Sequence, residues 1–337
     1  MLPIRILGTG NYTPGDPITN NELQALTGLE FDLEKLQQKL GIYSRHIAHL
    51  RDIQESTADF ATKAAENALQ AAGIPAEKLD LIIVATDTPE YISPSTSMLV
   101  QGRLQNGETW ATSFDVNASC ASFAIALDTA ARIMATDTQV RYAVVIGVYN
   151  MTAYIRPDDA FGTFIFADGA GAFVLGRTTS AEDPSGYING QHLTDGTQWN
   201  YIGVYAGGTH TPVTADIIEK NEQGLLNLQP LPGDRNVRLW PLVIRQLLQK
   251  TGKDISEIDH FLFTQINHSV IVQVMEILGQ PMEKTTCAMD RFGYTGSACI
   301  PMAFHVAVSE GRIRRGDTVI FTASGAGLAV GSNLFVY

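Results

Sequence analysis

Short apolar runs alternate along the chain with longer segments of helical periodicity, which is the pattern of an α/β protein. Each apolar run is bounded by polar or turn residues and predicts a buried strand. The predicted strands are 79–87 (LDLIIVATD), 141–148 (RYAVVIGV), 163–168 (TFIFAD), 171–176 (GAFVLG), 258–264 (IDHFLFT), 317–324 (DTVIFTAS) and 332–337 (SNLFVY). Ser56 followed by Asp59 predicts a capping box at the start of a helix, and Gly73 predicts the end of that helix.

Two parts of the chain resemble each other in the order of these elements. The strand 79–87 leads, after a helical stretch, to Asp115, a turn of small residues and an apolar helix. The strand 258–264 leads in the same way to Asp290, a turn of small residues and an apolar helix. Further apolar strands follow in both cases. This order predicts an internal duplication of one unit of strands and helices.

The duplication divides the chain into three parts. Residues 1–177 form the first half, and residues 236–337 form the second. Residues 178–235 are rich in Gly, Thr, Asn and Pro and predict connecting loops and short strands between the halves.

Composition and charge narrow the classes of function. The 337 residues carry a formal net charge of −12, which argues against a nucleic-acid or anionic-membrane partner because both need clustered Lys and Arg. No apolar run has the length of a membrane span, and the first residues lack the pattern of a secretory signal. The three cysteines are odd in number and lack zinc-type spacing, so we expect free thiols and a cytoplasmic protein.

Cys120 is the candidate nucleophile in the first half. It lies in the turn between a predicted strand and a predicted helix, among small residues that leave room for a substrate. A thiolate at a helix start gains from unpaired N–H groups and the positive end of the helix dipole, so this position predicts a lowered thiol pKa. The alternative interpretation of the same residues is an inert cysteine buried among alanines.

The segment FDVNASCASFAIAL (114–127) resembles the active-cysteine segment of β-ketoacyl-acyl-carrier-protein synthase III, an initiating ketosynthase of the thiolase superfamily. The resemblance extends along nearly the whole chain, with several motifs in the family's order and spacing. These motifs are 6–14 (ILGTGNYTP), 39–48 (KLGIYSRHIA), 81–97 (LIIVATDTPEYISPSTS), 166–176 (FADGAGAFVLG), 290–301 (DRFGYTGSACIP) and 325–334 (GAGLAVGSNL). The resemblance implies a thiolase-like, five-layered αβαβα fold built from two similar halves.

The resemblance also implies the chemistry of the site. Cys120 would receive an acyl group from an acyl thioester, and the backbone N–H groups of Cys120 and Ala326 would form the oxyanion hole. No bound cofactor or metal ion is implied, because acyl-phosphopantetheine or acyl-CoA would be the substrate. The family is usually homodimeric.

Two catalytic positions depart from the family pattern. Thr264 stands where the family has its His, and Tyr294 stands where it has its Asn. Those two donors stabilise the enolate formed when a malonyl thioester loses carbon dioxide, and losing one donor of this kind typically costs about 100- to 1,000-fold in rate. His268 lies four residues after Thr264 and is the candidate replacement base, with His210 on a Gly-rich loop as a second candidate.

Contacts to coenzyme A are altered as well. Lys35 and Lys39 occupy the positions of a family Trp and Arg, and both are candidates for binding a phosphopantetheine or an acidic carrier protein. Asn267, at the end of the motif that begins with Thr264, is a further candidate binding residue. Phe161 and Ser269 replace two other arginines, which weakens a coenzyme A site.

These features predict acyl transfer through a thioester on Cys120, from an acyl-carrier-protein or CoA thioester to an acceptor. One alternative is a decarboxylating 3-oxoacyl-[acyl-carrier-protein] synthase III, a condensing enzyme that tolerates Thr264 and Tyr294. A second alternative is a catalytically reduced partner subunit of a heterodimeric ketosynthase. We expect a homodimer, with a heterodimer with a paralogue as the alternative.

Overall fold

The computed structural model describes residues 3–178, 180 and 183–337. The strands are β1 (Ile4–Tyr12), β2 (Ile18–Thr19), β3 (Ser44–Arg45), β4 (Leu81–Ala85), β5 (Thr112–Val116), β6 (Tyr142–Tyr149), β7 (Gly169–Arg177), β8 (Gly186–Gln198), β9 (Ile202–Val204), β10 (Leu225–Asn227), β11 (His260–Phe263), β12 (Thr318–Gly325) and β13 (Gly327–Val336). The α-helices are α1 (Asn20–Thr27), α2 (Leu33–Leu40), α3 (Thr57–Ala72), α4 (Thr96–Gln105), α5 (Ser122–Thr136), α6 (Ala160–Ile165), α7 (Ala215–Glu219), α8 (Arg235–Thr251), α9 (His268–Ile277), α10 (Met289–Phe292) and α11 (Cys299–Ser309).

Two mixed sheets form the framework, and both have the same connectivity. The first sheet has the strand order β1-β7-β6-β4-β5, in which β4 and β6 are parallel and β6, β7 and β1 are antiparallel. The second has the order β11-β12-β13-β8, in which β11 and β12 are parallel and β12, β13 and β8 are antiparallel. An isolated parallel bridge between Phe261 and Thr285 lies where β5 pairs in the first half. The repeated connectivity agrees with the duplication predicted from the sequence.

Helices lie on both faces of each sheet. Helix α3 packs on β1, β7 and β6 at one outer face, and α8 packs on β8, β13 and β12 at the other. Helices α5 and α11 lie between the two sheets, where α5 contacts β4, β6, β12 and β13. The layers therefore follow the order αβαβα, as expected. Helix α5 buries most of its circumference because it faces both sheets, and only one side, with Arg132 and Thr136, is exposed.

Several local predictions are confirmed. Ser56 and Asp59 form a capping box at the start of α3, and Gly73 ends that helix in the left-handed conformation with φ 65°. The predicted strand 163–168 is wrong. Asp159 caps a short helix there by accepting from the Gly162 N–H over 2.8 Å, so α6 covers the first part of this apolar run.

The segment 178–235 contributes more structure than loops and short strands. The thirteen-residue strand β8 lies in it and pairs along β13 at the edge of the second sheet. The short antiparallel pair β9 and β10, with α7 between the two strands in the chain, also lies in it. In the described part of the chain, no helix combines the length and the apolarity that crossing a bilayer requires.

Candidate active site

A cavity of about 300 Å³ opens between the two sheets, at the carboxyl ends of β4 and β5 in the first sheet and of β11 and β12 in the second. Its walls are mostly apolar and aromatic, with a small number of polar groups. The lining residues are Asp87, Asn117, Ser119, Cys120, Tyr149, Met151, Phe166, Trp199, Ile202, Gly203, Val204, Leu225, Leu231, Arg235, Asn236, Thr264, Ile266, Tyr294, Ser324, Gly325, Ala326 and Gly327. The volume and the apolar walls fit a small ligand pocket, which typically spans about 300–1,000 Å³.

Cys120 occupies the tight turn between β5 and α5. Ser119, just before it, has a φ of 52°, a left-handed conformation that is uncommon for residues other than glycine. The turn is closed by the N–H of Ala118, which donates to the hydroxyl oxygen of Ser122 over 2.8 Å. Gly325 approaches this turn so closely that a Cβ there would lie 2.8 Å from the Cys120 nitrogen. The turn that holds Cys120 and the end of β12 are therefore packed in close contact.

The Cys120 thiol is 9% exposed, and burial raises its pKa to about 12, with the charge of Asp87 adding to the increase. Hydrogen bonding by the hydroxyl groups of Tyr294, Ser119 and Tyr149 acts in the opposite direction. The sequence predicted a lowered pKa, because the turn precedes a helix. The structure corrects this expectation, since desolvation of a buried thiolate outweighs the groups that stabilise it.

Tyr294 belongs to an aromatic cluster beside the sulfur. Its ring centroid lies 5.7 Å from that of Phe166 and 6.2 Å from that of Tyr149. The backbone of Tyr294 is held by its N–H, which donates to Ile165 O over 2.9 Å. Gly296 adopts a φ of 44° under the ring of Tyr149, where a side chain would overlap the ring. The structure thus brings Tyr294 to the cavity that holds Cys120, as its place in the sequence motif predicted.

Thr264 lies at the end of β11 and also faces this cavity. Its hydroxyl oxygen accepts the Ser324 N–H over 2.9 Å. The Ser324 hydroxyl in turn donates to the side-chain oxygen of Asn236 over 3.0 Å. Ala326 follows in the turn between β12 and β13 and lines the cavity as well. Cys120, Thr264, Tyr294 and Ala326 are therefore brought together.

The two histidine candidates are not brought to this cavity. His268 begins α9 and packs against Gly41 at the end of α2, where a Cβ on Gly41 would lie 2.8 Å from that of His268. His210 is exposed in a turn closed by the Gly207 N–H, which donates to Thr211 O over 2.9 Å. Neither residue lines the cavity. The structure therefore gives the hypothesis that His268 is the base no support from position, and a role for His268 or His210 stays a prediction. Sequence distance from Thr264 does not decide which way the helix start faces.

The three candidate binding residues also lie outside the cavity. Lys35 and Lys39 are exposed on α2. Asn267 is the N-cap of α9, and its side-chain oxygen accepts the Val270 N–H over 3.3 Å and the Ser269 hydroxyl over 2.8 Å. The Asn267 oxygen is thus engaged in holding the helix start. A role for the two lysines toward a carrier protein stays a prediction.

Two charged residues that line the cavity were not predicted from the sequence. Asp87 follows β4, and its Oδ2 accepts the Ser119 hydroxyl over 2.8 Å, while Oδ1 is buried without a hydrogen-bond partner among the described residues. Arg235 begins α8, and its Nη1 is likewise buried without a partner. Asp87 carries a signal that sequence could have given, because it ends a buried strand next to the strand that leads to Cys120. No pattern in the sequence marks Arg235, because its segment has the composition of a loop.

Family models match two parts of the chain. The model described as 3-oxoacyl-[acyl-carrier-protein] synthase III matches residues 114–196, and the model of its C-terminal part matches residues 248–337. The chain is 32% identical to β-ketoacyl-[acyl-carrier-protein] synthase III of Xanthomonas campestris pv. campestris over 338 aligned residues. That alignment covers 99% of this chain and 98% of the relative.

Solved structures are similar over the whole chain. The crystal structure of 3-oxoacyl-[acyl-carrier-protein] synthase III from Aquifex aeolicus superposes with a TM-score of 0.85 at 31% identity, covering 99% of this chain and 100% of that one. The priming β-ketosynthase of the R1128 polyketide biosynthetic pathway superposes with a TM-score of 0.84 at 25% identity, covering 99% and 96%. These superpositions confirm the thiolase-like fold predicted from the sequence.

Proposed function

The chain belongs to the 3-oxoacyl-[acyl-carrier-protein] synthase III family, and we propose that this enzyme carries an acyl group as a thioester on Cys120 and transfers it to an acceptor. One observation carries the proposal: among the residues that the structure describes, the one cysteine that lines the apolar cavity is Cys120, in the turn between β5 and α5. Cys287 and Cys299 are free thiols but lie outside the cavity.

Acylation of Cys120 involves attack by the sulfur, stabilisation of the negative charge on the oxygen, departure of the leaving thiol and a place for the acyl chain. The Cys120 sulfur attacks the carbonyl carbon of the acyl thioester after losing its proton. The oxygen of that carbonyl then carries negative charge, which the backbone N–H groups of Cys120 and Ala326 would stabilise. The thiol of the carrier or of coenzyme A leaves with a proton. The acyl chain stays among the apolar cavity walls, where Met151, Phe166 and Leu225 face it.

Transfer is favoured over condensation by the chemistry of two side chains. Decarboxylative condensation produces an enolate, which the family stabilises with a His and an Asn. Thr264 and Tyr294 each donate a hydroxyl hydrogen but cannot become cationic acids. Burial raises the pKa of Tyr294 well above its usual value, so its hydroxyl stays a neutral donor. Acyl transfer makes no enolate and does not require these groups to stabilise one.

The condensing alternative has one supporting observation. Both Thr264 and Tyr294 line the same cavity as Cys120, so two hydroxyl donors are near any enolate formed there. The reduced-partner alternative has less support, because Cys120 and its tight turn are retained. The acyl donor would be an acyl-carrier-protein or a CoA thioester, and a cytoplasmic location fits such donors.

Release of labelled carbon dioxide from malonyl-carrier protein distinguishes transfer from condensation. We expect decarboxylation about 100- to 1,000-fold slower than in a relative with the complete Cys, His and Asn set. The matched measurement is the rate of acyl transfer from the acylated enzyme to a small thiol or amine acceptor. Decarboxylation at the rate of the complete relative would contradict the transfer proposal and favour condensation.

A further inference from the structure

A hydrogen-bonded chain leads from the Cys120 sulfur to a buried carboxylate. The hydroxyl oxygen of Ser119 lies 3.8 Å from the sulfur, and the same hydroxyl donates to Asp87 Oδ2 over 2.8 Å. Asp87 follows β4 and Ser119 follows β5, and these two strands are parallel neighbours. Their carboxyl ends therefore hold the three residues together at one wall of the cavity.

The Asp87 carboxylate has the surroundings of a group that can take up a proton. Its Oδ1 is buried without a hydrogen-bond partner, and no cationic side chain of the described residues interacts with it. Burial without a counter-charge disfavours the ionised form, and it raises the pKa of Asp87 to about 6. A carboxylate that caps a helix or pairs with an arginine would show the reverse.

The position of Ser119 is equally specific. Its left-handed backbone directs a short hydroxyl side chain between sulfur and carboxylate, although such a φ is unfavourable for residues other than glycine. A hydroxyl group can accept one proton and donate another at the same time. Ser119 can therefore pass a proton without carrying a charge itself.

We propose that Asp87 receives the proton of Cys120 through the hydroxyl group of Ser119. The role rests on the proposed acylation of Cys120. As the sulfur bonds to the acyl carbon, its proton moves to the Ser119 oxygen and the original Ser119 proton moves to Asp87 Oδ2. When the carbonyl re-forms and the carrier thiolate leaves, the same proton returns through Ser119 to that thiolate. No co-reactant is needed, and the enzyme ends acylated with Asp87 ionised again.

If Asp87 took up no proton, replacing it with a neutral residue would change the acylation rate in the opposite direction. Its negative charge raises the pKa of Cys120, so removing the charge makes the thiolate easier to form at equilibrium. If Asp87 only repels the thiolate, its neutral replacement acylates faster. If Asp87 accepts the proton, the neutral replacement acylates more slowly even though its thiol is more acidic.

The test is single-turnover acylation of Asp87→Asn by an acyl-CoA, followed across pH. We expect a rate about 100-fold below the parent at neutral pH. The parent profile should rise through the ionisation of Asp87 near pH 6 and then flatten, and the variant should lose this step. The other titratable groups around Asp87 are Cys120, Tyr149 and Tyr154, and burial raises the pKa of each of them above its usual value, away from this step. Arg235 lines the same cavity.

Two further variants accompany this test, one as a control for the fold and one as a second test of the relay. Asp80→Asn is the matched control, because Asp80 lies just before β4 at the opposite end of the strand and accepts the Arg141 and Tyr142 N–H groups. We expect it to acylate at the parent rate. Ser119→Gly removes the relay hydroxyl and suits the left-handed backbone, and it should slow acylation as Asp87→Asn does.

Acylation of Asp87→Asn at or above the parent rate would overturn the proposal, and so would equal slowing of Asp80→Asn. These outcomes are separate from a failure of the proposed function. If the parent is acylated on Cys120 and Asp87→Asn matches it, the relay alone is wrong. If the parent takes no acyl group from any donor, the acylation itself is wrong, and with it the role of Asp87.

Discussion

The hydroxyl oxygen of Thr264 lies 2.9 Å from the backbone nitrogen of Ser324 and accepts its hydrogen bond. Both residues are buried, with Thr264 1% exposed. The bond joins the end of β11 to the end of β12 at the cavity that holds Cys120. Because the oxygen accepts from the backbone, the Thr264 hydroxyl hydrogen is left to donate to another group. Thr264 thus has a structural role at the cavity that holds Cys120.

Thr264→Val should lower the free energy of unfolding by about 1–3 kcal/mol, because the buried Ser324 N–H loses its acceptor. Thr264→Ser is the matched control, since it keeps the hydroxyl oxygen and removes only a methyl group. Urea unfolding followed by circular dichroism measures both. Equal stability of the valine variant and the parent would show that the Ser324 N–H finds another partner.

The thiol of Cys120 should remain protonated at neutral pH in the free enzyme. Burial raises its pKa to about 12, so the thiolate should increase only well above pH 9. The ultraviolet absorbance of the thiolate measures this, as the difference between the parent and Cys120→Ser at each pH. A full thiolate signal at pH 7 would contradict the prediction. It would show that the start of α5 lowers the thiol pKa more than burial raises it.

Tyr294→Phe should raise the pKa of Cys120 further, because the tyrosine hydroxyl stabilises the thiolate.

Arg235 should favour acyl donors that bring a negative group into the cavity. Its Nη1 is buried and has no hydrogen-bond partner in the part of the chain that the structure describes. A carboxylate there would form a charge-assisted hydrogen bond. For Arg235→Gln we expect KM for a thioester with a terminal carboxylate to rise about tenfold relative to a neutral acyl thioester. Arg238→Gln is the control, since Arg238 is exposed on the same helix and pairs with Asp234 at 2.7 Å. An equal change for both thioesters would show that Arg235 does not distinguish acyl groups by charge.

The edge of the first sheet should form a homodimer interface. Strand β5 is the outermost strand there, and Trp110 beside it is 91% exposed. Unpaired strand edges with exposed apolar side chains are sites of association. Trp110→Glu should therefore shift the protein from dimer to monomer in light scattering. Trp199→Glu, at another exposed tryptophan, should stay dimeric. A monomeric parent across a wide concentration range would contradict this interface.

The sequence predicted what local patterns and motif register determine. Most strands, the cap of α3 and the place of Cys120 between a strand and a helix followed from spacing and residue type. Thr264 and Tyr294 were placed at the site by their register with family motifs, and both line the cavity. These features depend on residues that are close in sequence or fixed by a shared framework.

What the sequence could not supply depends on packing between distant segments. Asp87 ends a strand that the sequence predicted, but its contact with Ser119, next to Cys120, depends on β4 and β5 pairing side by side. The cavity wall formed by Ile202, Val204 and Leu225 comes from a segment without strong periodicity. Burial also reversed the predicted direction of the thiol pKa, because helix-start effects are visible in sequence and desolvation is not.

The most direct test of the account is mass spectrometry of the protein after incubation with varied acyl-CoA and acyl-carrier-protein thioesters. We predict that the intact mass increases by one acyl group and that peptide mapping places this group on Cys120. Cys120→Ser should show no increase, whereas Cys287→Ser and Cys299→Ser should be acylated like the parent, because neither cysteine lines the cavity. An adduct on Cys287 or Cys299, or no adduct with any acyl donor, would contradict acyl transfer through Cys120.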